Sequence, residues 1–175
     1  MSKIIDLSKA AGAALSKRQL SVAAAESCTG GALLNALTDV PGSSNHTKGG
    51  IVAYSNQVKI EQLGIDKNDI KQYGAVSKTV ALQMAKNVAA LMKTDFGLST
   101  TGIAGPDGGS DEKPLGTVWM GFWSESTYFA LKANFNGDRL SITQQTVELV
   151  LETLRRMALN TGPLADNLKL HFADE

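Results

Sequence analysis

A chain of 175 residues, 43% of them hydrophobic, can bury one core but has no room for two ordinary domains. Its 17 basic residues balance 17 acidic ones without any Lys/Arg run, which argues against nucleic acid as a partner, and no apolar stretch of about 18 residues is present to cross a membrane. One cysteine, Cys28, cannot form an internal disulfide, and the opening residues lack the apolar region of a secretory signal, so the expected location is the cytoplasm.

In chain order, Ile4, Leu7, Ala11, Ala14 and Leu15 recur at helical spacing and predict an amphipathic helix, with Gly12 a weak point within it. Residues 21–25 (SVAAA), then ESCTGG and ALLNAL, read as strand, tight turn and helix. Pro41-Gly42 ends that helix, and SSNHTKGG is expected to be a polar loop. Residues 51–55 (IVAYS) read as a second strand, with Asn56 as the cap of a short helix that Gly64 stops. A further short helix is expected from Asp66, with Asp69 in a capping-box position, to Gly74, and Ser77 is expected to cap a longer helix carrying Val80, Met84, Val88 and Leu91.

Residues 96–101 predict a strand, and TGIAGPDGGSDEKP after it an ordered loop. Residues 117–123 read as a strand buried on both faces, and 128–135 as its hairpin partner with Phe129, Leu131, Ala133 and Phe135 on one side. The last long helix is expected over 138–159, with Leu140, Val147, Val150, Leu151, Leu154 and Met157 along its buried stripe. Alternating helices and strands ending in a hairpin predict an α/β fold, a three-layer α/β/α domain with a mixed sheet over residues 1–160, followed by a polar tail over 161–175.

Ser27 stands between a strand and a glycine-bearing helix start, where free amides and the helix dipole can hold developing negative charge. That suits a nucleophile, though Ser27 or Thr29 as a plain helix cap is the commoner arrangement. Tyr54 and Lys59 flank the next strand-to-helix boundary. A lysine in a first helical turn is disfavoured as the cation and becomes a base if buried; otherwise it is a solvated surface group, and Tyr54 a core-edge tyrosine. Gly102, Gly105, Gly108 and Gly109, with Thr101 and Ser110, can form an anion-holding nest or simply a turn. Arg139 at the last helix start can meet an anion or pair with Asp138. Cys28 has no activating histidine beside it and reads as a small buried residue, while His46, His171 and Cys28 do not make a zinc set; neither metal nor cofactor is expected.

The motifs AESCTGG (25–31), PGSS (41–44), KGGIVAYSNQVK (48–59), GAVS (74–77), TGIAGPDGG (101–109), KPLGTVW (113–119) and GDR (137–139) are collinear with those of the CinA C-terminal domain family, which the chain resembles over residues 5–158. Family members that lack the larger N-terminal domain include nicotinamide-nucleotide amidases, and the pyrophosphatase activity attributed to that domain is not carried over. The resemblance therefore implies hydrolysis of nicotinamide mononucleotide to nicotinate mononucleotide and ammonia, in a protein commonly dimeric. It implies Ser27 as nucleophile, Tyr54 and Lys59 as its activators, and Thr101 and Arg139 as substrate-binding positions, Arg139 toward the phosphate. Thr29, Gly30 and Gly31 are expected to supply the oxyanion amides, and Gly102 and Gly105 to line the substrate. Where the family carries aromatic residues after GSS, this chain has Asn45, His46 and Thr47; aromatics there would stack on the nicotinamide ring, so substrate affinity or identity is expected to differ. The competing readings are a catalytically silent paralogue that binds a nucleotide or a protein partner, and an interaction role in DNA uptake or repair, against which the neutral charge counts.

Overall fold

The alanine-rich run after the first helix is an interior strand of the sheet. In the computed structural model, which describes residues 3–161 and 170–172, β1 (Val22–Glu26) lies between β2 (Thr47–Val52) and β3 (Phe96–Gly102), parallel to both. β4 (Thr117–Ser124), β5 (Thr127–Asn134) and β6 (Leu170–Phe172) continue the sheet antiparallel, giving the order β2-β1-β3-β4-β5-β6. Alternate side chains of β1 face opposite layers. Val22 and Ala24 join one core with α1 (Lys3–Lys17), α2 (Ala32–Thr38) and α6 (Arg139–Leu159). Ala23 and Ala25 join the other with α5 (Lys78–Met92) and with Leu63 of α3 (Asn56–Leu63); α4 (Lys67–Tyr73) packs outside α5. The fold is the expected three-layer α/β/α architecture with a mixed sheet.

Five local expectations are corrected. β2 begins at Thr47, inside the stretch read as loop, because Gly49-Gly50 is a strand segment that must be bare: a Cβ on Gly50 would lie 2.0 Å from the Ala24 carbonyl oxygen. Ser55, not Asn56, caps α3 by accepting from the Val58 N–H at 3.2 Å. Asp69 makes no capping box; Gln83 accepts from the Asp66 N–H and donates to the Asp69 carboxylate, tying α4 to α5. Leu140 is 72% exposed, since the buried face of the first turn of α6 is carried by Ile142, whereas Val147, Val150, Leu151, Leu154 and Met157 are buried as expected. Of the stretch read as a polar tail, residues 170–172 pair with β5, and the remainder lies outside the described residues.

Gly12 is less a weak point than a seat. A Cβ there would come within 2.8 Å of the His46 ring, which is buried against α1 and linked through Nδ1 to the Thr47 hydroxyl at 3.0 Å. Burial first, then the Lys48 charge, lowers the His46 pKa from its ordinary 6.5. The unfolded chain thus binds a proton near pH 6.5 that the folded chain refuses, so this contribution to stability is intact above pH 6.5 and declines as pH falls below it. Thermal melts of the parent are expected to drop between pH 7 and pH 5, and His46→Gln to flatten that slope; an unchanged slope in the variant would contradict the assignment.

Candidate active site

The carboxyl ends of the three parallel strands meet in one place, because Glu26 is in register with both Val52 and Thr100. From β1 the chain leaves toward β2, and from β3 toward β4, so the crevice between β1 and β3 is where open α/β sheets bind ligands. Ser27 opens that crevice. Its N–H donates to the Thr100 carbonyl at 2.9 Å, which fixes the residue after β1 against β3.

Lys59 reaches Ser27 from the other side of β1. The Ser55 cap sets the start of α3 and places Lys59 in its first turn, facing the core, where the side chain is 1% exposed. Its Nζ lies 3.0 Å from Ser27 Oγ and donates to the Ala53 carbonyl at 2.7 Å. Among the described residues no carboxylate contacts this amine. Burial lowers its pKa below the ordinary 10.5, with the neighbouring Cys28 opposing weakly. Cys28 itself is buried and its thiol is pushed up to about 12, so it stays protonated and unreactive, as the sequence suggested.

Tyr54 and Arg139 form a second cluster. Arg139 donates through Nη2 to the Tyr54 hydroxyl at 2.6 Å and through Nη1 to the Gly105 carbonyl at 2.8 Å, drawing the loops after β2 and β3 to the head of α6. Asp138 does not pair with it; that carboxylate caps α6 at the Ser141 N–H, 2.8 Å away. Tyr54 is 60% exposed and has no bond to Ser27 or Lys59. The structure therefore places Tyr54 beside Arg139 and leaves Lys59 as the group touching Ser27.

Four expected substrate contacts have other partners. Thr29 is buried, its hydroxyl donating to Glu26 Oε2 at 2.6 Å and accepting from the Thr100 hydroxyl at 2.7 Å. Thr101 is also buried and donates to the Ala75 carbonyl at 2.8 Å. Gly102 and Gly105 are glycines for packing: a Cβ would meet the Thr117 carbonyl at 2.8 Å in the first and Leu115 at 2.4 Å in the second. The oxyanion amides also shift. The Gly30 N–H donates to the Ser27 carbonyl and the Gly31 N–H to Glu26, whereas the Thr29 N–H has no acceptor among the described residues. Asn45, His46 and Thr47 stand at the beginning of β2, roughly 16 Å of strand from its carboxyl end, so in this protein they do not line the Ser27 crevice.

A family model, the CinA C-terminal domain, matches residues 5–158. The chain belongs to the CinA C-terminal domain family. It is 46% identical over 142 residues to a CinA-like protein of Amoebophilus asiaticus, an alignment covering 81% of this chain and 34% of the relative. Its fold is similar to a competence/damage inducible protein of Agrobacterium tumefaciens, with a TM-score of 0.87, 36% identity, and 91% and 97% of the two chains covered. A CinA superfamily protein of Escherichia coli is also similar, with a TM-score of 0.83, 31% identity, and 89% and 90% coverage. The chain spans about a third of the length of the curated relatives it matches, 31% to 36% in those most similar.

Within this CinA-type domain, the residue that sequence reasoning missed is Glu26. It is 0% exposed and accepts from Gly31, Leu33 and Leu34 N–H groups and the Thr29 hydroxyl. The signal was present as an acidic residue closing an apolar strand just before a helix start, where its charge suits the helix dipole. A cavity lined by Arg18, Asp95, Trp123, Phe129 and Met157 lies at the opposite end of the sheet and does not reach Ser27. No described helix is long and apolar enough to cross a membrane.

Proposed function

We propose that this domain is an amidohydrolase that converts nicotinamide mononucleotide to nicotinate mononucleotide and ammonia, with Ser27 as nucleophile and Lys59 as its base. The observation that carries the reading is the buried Lys59 amine 3.0 Å from Ser27 Oγ with no carboxylate to hold it as a cation. With the amine neutral, Ser27 donates its hydroxyl proton to Nζ while Nζ keeps its bond to the Ala53 carbonyl. Oγ bonds to the carboxamide carbon, and the carbonyl electron pair moves to oxygen, held by the Cys28 and Thr29 N–H groups. Collapse breaks the carbon–nitrogen bond as Lys59 returns its proton to the departing nitrogen, releasing ammonia. Water then adds to the acyl carbon, giving a proton to Lys59, and Ser27 departs with it, leaving the nicotinic acid group, whose remaining proton passes to the released ammonia to give the carboxylate.

Substrate identity rests on the family resemblance together with Arg139. Two of its five N–H donors are engaged by Tyr54 and Gly105, which leaves donors of an already oriented guanidinium for a phosphate. Arg139→Ala is expected to raise KM for the mononucleotide by about 10- to 100-fold, the loss of charge-assisted hydrogen bonds, while the unphosphorylated riboside is little affected. Equal losses on both would remove the phosphate assignment. The direct test is ammonia and nicotinate mononucleotide formation by purified protein in the presence of a chelator. Folded protein that binds the mononucleotide without turnover would favour a silent paralogue instead.

A further inference from the structure

We propose that Glu26 is a positioning residue for the reactive turn, holding Ser27 and its oxyanion amides in place and closing the start of α2 to substrate anions. The inference rests on Ser27 being the nucleophile. Glu26 is the residue before Ser27, yet its carboxylate turns back beneath the 27–31 turn and is wholly buried. Oε2 accepts from the Thr29 hydroxyl at 2.6 Å, the Gly31 N–H at 3.0 Å and the Leu33 N–H at 3.1 Å, and Oε1 accepts from the Leu34 N–H at 2.7 Å. Four donors on one buried carboxylate fix both ends of the turn, and the Thr29 hydroxyl extends the network to Thr100 on β3.

Two consequences follow for the chemistry. The turn passes through left-handed backbone at Gly30 (φ +59°) and Gly31 (φ +102°), a path that the carboxylate anchors at Thr29 and at Gly31. The Thr29 N–H is thereby kept unbonded two residues from Ser27, while the amides at the start of α2 are filled by the protein's own anion. A substrate phosphate is thus directed to Arg139 rather than to the helix start beside the nucleophile.

The test uses a serine-directed phosphonate, whose labelling of Ser27 reports the nucleophile without any nicotinamide substrate. In Glu26→Gln the amide sets an N–H₂ against backbone donors, so labelling and kcat are expected to fall about 10- to 100-fold, with KM for the mononucleotide shifting less than about threefold. In Glu26→Ala, added formate is expected to restore labelling saturably, whereas chloride at equal ionic strength is not. Labelling of folded Glu26→Gln at the parent rate, or a fall in KM-dependent binding alone, would overturn the proposal. Should neither variant fold, Thr29→Val removes one of the four donors, and parent-like labelling there would overturn it equally. A parent that is not labelled removes the serine reading, and this inference with it; a labelled parent with an unaffected variant removes only the role of Glu26.

Discussion

Ser27→Ala is expected to lower amide turnover by about a thousandfold or more while the protein folds and binds substrate as before. The residue is half-buried, and among the described residues its hydroxyl is hydrogen-bonded to Lys59 Nζ alone, so its removal leaves the Ser27 N–H bond to Thr100 and the Glu26 network intact. What is lost is the oxygen that makes the covalent bond, not a structural contact. Residual activity would come from substrate held near the Cys28 and Thr29 amides, with water in place of the serine oxygen. The measurement is ammonia release, with thermal melting as the control; near-normal turnover in a folded variant would sink the covalent mechanism. Mass spectrometry of the parent quenched during turnover should show the nicotinate mononucleotide acyl group, ribosyl phosphate included, as an ester on Ser27 if deacylation is the slower half.

How much of this was legible beforehand depended on the range of the interaction. The strand-turn-helix around Ser27 is written locally, in small apolar residues followed by ESCTGG, and so are the caps at Ser77 and Gly64. The Ser27–Lys59 pair spans 32 positions and comes together where Leu63 of α3 shares a core with Ala23 and Ala25 of β1; the family resemblance implied it, but spacing could not. Glycine was the least readable residue. Gly49-Gly50 looked like loop but is strand, Gly102 and Gly105 looked like ligand contacts but make room for neighbouring chain, and Gly12 looked like a flaw but seats His46. In each case the reason is a partner distant in sequence. The hydroxyls of Thr29 and Thr101 have protein partners for a related reason, since a hydroxyl in a glycine-rich motif can serve the scaffold as readily as the ligand.

Substitutions of Lys59 separate charge from basicity. Lys59→Arg retains a cation and a donor but cannot give up its proton, and Lys59→Met retains the length of the side chain without either; both are expected to lose about a thousandfold or more in kcat/KM. The double variant Ser27→Ala/Lys59→Met should be no slower than the worse single one, because the two groups perform one proton transfer. For the parent, the active form is the neutral amine, so kcat/KM should rise with pH along a limb whose midpoint lies below the ordinary 10.5 of lysine, as burial requires. Cys28, the titratable neighbour of this amine, remains a thiol across that range because its own pKa stands at about 12. Stability should move in the same direction as activity. The unfolded lysine holds its proton up to pH 10.5 whereas the buried one releases it earlier, so Lys59 destabilises the fold at neutral pH and ceases to do so as pH approaches 10.5. Lys59→Met leaves the Ala53 carbonyl without its donor, a cost of about 1 kcal/mol, but removes the larger penalty of burying an unpaired amine. It is therefore expected to melt no lower than the parent at pH 7, and any advantage should shrink as pH rises. A strongly destabilised Lys59→Met would make the lysine a structural post instead, and a pH limb centred at or above 10.5 would show that burial does not prepare it as a base.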